Sequence, residues 1–148
     1  NMNNMFHGCE NFNQPLNNWN TSQVTNMDSM FCETLLFNQL LNNWDVSNVI
    51  NMNFMFFNCR NFNQPLNNWN VSNVEVMSWM FKHTHDFNQP LNNWDVSSVT
   101  DMDGMFQDIW RFDQSLNDWD VSSVTNIENM FKGARSFDKK NALWYDFD

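Results

Sequence analysis

Three His, three Cys and 17 carboxylates are the groups in this 148-residue chain that could ligate a metal or move a proton. His83 and His85 form an H-x-H pair. On a helix, residues two apart point in different directions, and no Cys or carboxylate recurs beside the pair at ligand spacing, so no metal site is expected. Asp101 and Asp103 before Gly104 match part of a calcium loop but lack its third acidic position and terminal Glu, so acids at a helix N-terminus are expected instead. Asp45, Asp95 and Asp120 could suggest paired carboxylates for acid–base work, yet they occupy equivalent places along the chain and alternate with Asn20 and Asn70. A side chain repeated in this way does one structural job many times, whereas an active site is a single place; the expected job is an Asx turn. Ser22, Ser47, Ser72, Ser97 and Ser122 are equally periodic and fit helix caps better than a nucleophile set. The reading is of a chain without enzymatic activity, cofactor or metal.

The thiols form no framework. Cys9 and Cys59 lie 50 residues apart, two periods of the repeat described next, which in stacked strands means roughly 10 Å against a Cα limit of ~7 Å for a disulfide. Cys32 falls two places from the Cys9 column. Buried or idle thiols are expected.

What must position any functional group is the repeat. Phe12, Phe37, Phe62, Phe87, Phe112 and Phe137 are spaced by 25, as are Trp19, Trp44, Trp69, Trp94, Trp119 and Trp144. Columns beginning at Val24, Met30 and Phe31 keep the same beat without insertion or deletion. The division is a partial repeat over 1–23 followed by 24–48, 49–73, 74–98, 99–123 and 124–148, within one domain over 1–148. The chain opens partway through a repeat and is read as a segment of something longer.

Val24, Met27, Met30, Phe31 and Thr34 trace one face of a short amphipathic helix of about ten residues. Ser22 is placed to cap it, and Gly8, Asn58 and Gly133 mark where a left-handed residue would stop it. The remaining FNQPLNNWNVSNV reads as a loop, a very short strand near Gln14 to Asn17, and a turn; Pro15, Pro65 and Pro90 keep that strand minimal or irregular. Columns headed by Gln14 and Asn17 are expected to form stacked amide ladders, which accounts for a chain in which about a fifth of the residues are Asn. The fold class expected is an α/β solenoid, a stack of about six coils, each with one short helix plus a very short or irregular strand. The few apolar side chains of one copy cannot offset the entropy of ordering its 25 residues, so a lone copy should be unfolded and stacking should supply the rest.

The repeated FNQPLNNWNVSNV followed by a Met-Phe segment, clearest over Phe62 to Met80, Phe87 to Phe106 and Phe112 to Phe131, resembles the BspA-like leucine-rich repeat family across essentially the whole chain. The resemblance implies a leucine-rich-repeat-like right-handed solenoid. It also implies adhesion, surface display or particle structure, on a cell surface or in a virion, with no catalytic residues to carry over. This sequence departs from it by placing Trp and Phe where such repeats expect Leu, and Asn141 replaces Leu in the last coil.

Net charge is −10 with a pI near 4.4, so a nucleic-acid partner is not expected, and ten of the 17 acids lie from Asp101 onward. No apolar run approaches the roughly 18 residues of a membrane span. Asn20-Thr21-Ser22 and Asn70-Val71-Ser72 match the glycosylation acceptor pattern, in a turn column expected to be packed between coils.

Columns that vary between copies show where a partner could bind. The Asn4 column carries Phe54 and Trp79, and the His7 column carries Phe57. These three, with Leu35, Leu36 and Trp110 at neighbouring variable places, should form an exposed apolar cluster contacting a protein partner or neighbouring subunit. The alternative is a glycan stacking on the exposed rings.

Overall fold

The computed structural model describes residues 1–147. Each 25-residue copy lies on the next, and backbone hydrogen bonds run between copies. The N–H groups of Met27, Ser29, Phe31 and Glu33 donate to the carbonyls of Asn51, Asn53, Met55 and Phe57 at 2.8–2.9 Å. The same four bonds recur from Met52, Phe54, Phe56 and Asn58 to the copy after that.

That ladder replaces the expected helix over Val24–Thr34. Among the described residues the only helical element is a single 3₁₀ turn, η1 (Lys139–Asn141), capped by the Asp138 carboxylate. The reason lies in the backbone. Residues in the Asn4 column and the Gly8 column are left-handed in all six copies, with Ser29 at φ 55° and Glu33 at φ 59°. Two left-handed residues four apart break the run of i to i−4 bonds and turn alternate N–H groups sideways toward the following copy. The intervening N–H groups close tight turns instead, as from Met30 to the Met27 carbonyl at 3.2 Å. The left-handed residue expected at Gly8, Asn58 and Gly133 is present, although it ends no helix.

The extended contact is also displaced from its expected place. Parallel β-bridges join Asn26, Asn51, Val76, Asp101 and Asn126 in sequence, and no bridge or strand forms at Gln14–Asn17. Here the bonds run the other way along the stack, from the Ile50 N–H to the Thr25 carbonyl at 2.9 Å and from the Glu75 N–H to the Ile50 carbonyl at 2.9 Å.

Inside the stack, like meets like. Phe31, Phe56, Phe81, Phe106 and Phe131 form one row with ring centroids 5.6–5.7 Å apart and interplanar angles below 10°. A second row runs from Phe12 to Phe137 at 5.8–6.0 Å. Each ring of one row also stacks on its counterpart in the other, as Phe56 does on Phe62 at 4.2 Å. The tryptophans line the same core with their polar edge satisfied. The Nε1–H groups of Trp44, Trp69, Trp94, Trp119 and Trp144 donate to the carbonyls of Leu16, Leu41, Leu66, Leu91 and Leu116 at 2.8–3.0 Å. Met27, Met52, Met77 and Met102 fill the remaining interior with no exposure to solvent.

Candidate interaction surface

The periodic polar residues are structural, and their geometry shows how. Asp45 Oδ1 accepts from the Ser47 N–H at 3.0 Å and from the Ser47 hydroxyl at 2.6 Å. Asp95 and Ser97 repeat both bonds, and Asn20 with Ser22 and Asn70 with Ser72 make them with an amide oxygen. The Asx turn expected for this column is therefore present. The Ser column serves that turn and caps no helix. Hydrogen bonds from the serines hold the carboxyls of Asp45, Asp95 and Asp120 below the usual carboxylate range, opposite to what a general acid near neutrality needs.

Asn20 and Asn70, expected between coils, instead stand exposed at a corner of the stack, and the residues that follow them, Thr21 and Val71, are the buried ones. The amide ladder also differs from its expected form. Gln39 and Gln64 donate to the side-chain and main-chain oxygens of Asn13 and Asn38 at 2.9–3.2 Å, not to other glutamines. The Asn13 column, periodic through Asn38, Asn63 and Asn88, was legible as a repeat and carries most of this bonding. In the Asn17 column the Asn17 amide does reach Asn42 Oδ1 at 3.3 Å.

Cys9 is exposed while Cys32 and Cys59 are buried, and all three are free thiols. The Cys59 thiol donates to the Phe31 carbonyl as the Thr84 hydroxyl does to the Phe56 carbonyl one copy later, so Cys59 acts as a threonine equivalent. Burial, reinforced by Glu33 and Asp28, raises the Cys32 thiol to about 11.

The residues expected to form an exposed cluster are less exposed than that, and the ring contacts among them join Phe54 to Phe57 and Trp79. Phe54, Phe57, Trp79 and Leu35 are half-buried, while Leu36 and Trp110 are exposed at 44% and 40%. Phe54 meets Trp79 edge to face at 4.7 Å and Phe57 at 5.7 Å. The Trp79 indole lies over Gly104, where a Cβ would sit 2.6 Å from Nε1, and Lys82 Nζ stands 5.2 Å from its centre. Trp110 belongs to a neighbouring ladder: His85 stacks on it at 3.6 Å and the Arg135 guanidinium lies over it at 4.5 Å. His83 meets Phe57 edge-on at 5.8 Å and His85 at 6.1 Å. Burial lowers the affinity of both imidazoles for a proton. Among the described residues no group of three or more His, Cys, Asp or Glu side chains is placed to hold a metal, and no helix is long and apolar enough to cross a membrane.

Phe54 and Trp79 carry a backbone signal that sequence reasoning had no means of finding. Both hold φ above 50°, in the column where other copies place Asn4, Ser29, Gly104 and Asn129. Asn and Gly adopt that conformation readily; bulky aromatics do not.

A family model described as Mycoplasma protein of unknown function, DUF285, matches residues 1–89 and again residues 66–147. The chain belongs to the DUF285 family. The two overlapping matches identify a repeat protein. No curated protein and no solved structure matches this DUF285 chain.

Proposed function

We propose that this DUF285 chain is a non-catalytic, surface-exposed interaction module: a BspA-like, leucine-rich-repeat-like solenoid, right-handed and rigid, that holds an aromatic face against a protein partner on a cell surface or in a viral particle. The observation that carries the reading is the left-handed backbone at Phe54 and Trp79. Strained conformations of bulky residues persist where surrounding structure over-determines them, and they cluster at ligand clamps. Here two adjacent copies adopt an unfavourable residue type to bring two rings together on the outside. The Asx turns occupy the repeated carboxylates and serines, which supports a structural role for those columns.

The glycan alternative is less well supported. Stacking on a sugar needs an open ring face, and the Trp110 ring is already stacked by His85 at 3.6 Å and met by the Arg135 guanidinium at 4.5 Å.

The test is a site-specific photo-cross-linking residue in place of Phe57 in the native cell. A discrete protein adduct is expected, absent when the same group replaces the exposed Asn73 on another part of the coil. Equal, diffuse labelling from both positions overturns the reading.

A further inference from the structure

The charges of this chain are segregated. Five of its seven Lys and Arg residues, Arg60, Lys82, Arg111, Lys132 and Arg135, fall in the four stretches 57–61, 82–86, 107–111 and 132–136. Those stretches contain only two carboxylates, Asp86 and Asp108. The Asp86 carboxylate pairs with the Arg111 guanidinium at 3.3 Å, and Asp108 lies 4.0 Å from the His83 ring. Over these four copies that corner is net positive in an otherwise strongly acidic molecule, with Trp110 exposed on it, whereas the equivalent stretches of the first two copies, 7–11 and 32–36, carry Glu10 and Glu33, with Leu36 exposed.

A second corner carries the opposite ladder. Asp45, Asp95 and Asp120 are exposed, in three of the copies, with Asn20 and Asn70 taking the place in two others, and each carboxylate is fixed in position by its Asx turn. The buried columns of Phe37, Leu41 and Trp44 lie between the two corners along the chain. Both ladders climb by the same rise per copy, because both belong to one stack.

We infer that the basic-aromatic corner binds the acidic Asx-turn corner of a second copy of this chain, the two stacks lying side by side so that the carboxylates of one, spaced by whole numbers of coils, meet cations of the other at the same spacing. The inference rests on the interaction-module reading above and names the partner. Matched pitch is the argument for a second copy over an unrelated acidic protein: only a ladder with the same rise stays in register over several coils. The high like charge elsewhere repels copies in other orientations, which favours this one.

Two variants suited to the fold test it. D45N/D95N/D120N keeps every Asx turn, because Asn20 and Asn70 already make the same bonds with an amide. R60E/R135E places in that column a residue it already holds at Glu10. Sedimentation of the full chain should show concentration-dependent self-association, weakened about tenfold or more in each variant alone and restored when the two are mixed, since one retains the cations and the other the carboxylates. The first variant is the sharper test. Removing three negative charges lessens general repulsion, so a non-specific charge effect predicts tighter association where the paired ladders predict weaker.

Wild-type chain that stays monomeric at high concentration, or that associates as well after D45N/D95N/D120N, overturns the side-by-side pairing. A monomeric chain that still gives the Phe57 adduct to a different protein overturns only the pairing and leaves the interaction module standing. A chain that self-associates as described but gives no discrete adduct at Phe57 overturns the aromatic contact and keeps the ladders.

Discussion

Trp69 donates its indole N–H to the carbonyl of Leu41 in the preceding copy at 3.0 Å, with both residues buried. The bond joins a core side chain to the backbone one coil away, and four other copies repeat it. Removing the donor while leaving the acceptor buried forfeits the full desolvation of that carbonyl.

Trp69→Phe should therefore lower stability by about 1–3 kcal/mol, read as a fall in the urea midpoint at unchanged slope. Trp19→Phe, at the half-exposed end of the same row, should stay within about 1 kcal/mol of wild type. Equal effects at both positions would show that the bond is not what holds the row.

Phe54 and Phe56 are two residues apart with opposite roles. Phe56 is 0% exposed and stacked on three sides, so Phe56→Ala should cost about 3–5 kcal/mol. Phe54→Asn exchanges ring contacts for relief of left-handed strain, and should move stability by less than about 1 kcal/mol while abolishing the Phe57 adduct. A large destabilisation by Phe54→Asn would make that ring a structural element.

Gly104 and Gly8 share positive φ, at 54° and 70°, but differ in surroundings. A Cβ at Gly8 meets open space, whereas at Gly104 it meets the Trp79 indole. Gly8→Ala should cost about 1 kcal/mol for conformation alone. Gly104→Ala should cost more by thermal denaturation and displace Trp79, seen as loss of its edge contact with Phe54 in aromatic NMR shifts.

The imidazoles set an acid response. His83 and His85 titrate below their ordinary value of 6.5 because burial disfavours the charged ring, with Arg60 and the neighbouring His adding to the effect at His85. Between the folded and unfolded values the unfolded chain binds more protons, so stability is complete above 6.5 and declines as pH falls below it. The Asx-turn carboxylates, depressed below 3.8, add a second loss only in stronger acid. Urea midpoints across this range should fall in the first step, and H83Q/H85Q should flatten that step while leaving the second.

Much of this architecture was legible in the residues. The Phe12 and Trp19 columns fixed the period, their strict spacing placed like rings on like, and the Asp45 column announced its turn through the serine two places on. The backbone between columns was not legible, because Val24, Met27, Met30, Phe31 and Thr34 face inward on a helix and equally in the observed ladder. Which way the N–H of Phe31 points leaves no trace in apolar spacing. The left-handed Gly8, Asn58 and Gly133 were readable from residue type; Glu33, Phe54 and Trp79 were not, since only neighbouring copies hold them there. Exposure at Asn20 was not legible, because an exposed residue and its buried successor Thr21 share one turn. Phe54, Phe57 and Trp79 emerged from comparing copies, while the His85–Trp110–Arg135 stack needed coordinates to show that its members overlap.

If copies support one another coil upon coil, the chain tolerates loss of a whole period and no other length. Deleting residues 101–125 joins Thr100 to Asn126 and brings Phe81 against Phe131 and Trp94 against Trp144, preserving every column. That chain should keep the near-ultraviolet circular dichroism of ordered tryptophans and unfold cooperatively at a reduced urea midpoint. Deleting only residues 101–112 puts every copy after residue 100 out of register with those before it, and should lower the urea midpoint and the tryptophan signal further than the full-period deletion although fewer residues are lost. A shorter deletion that leaves the chain as stable as the full-period one, or an unfolded chain after the full-period deletion, would contradict the stacking of like on like.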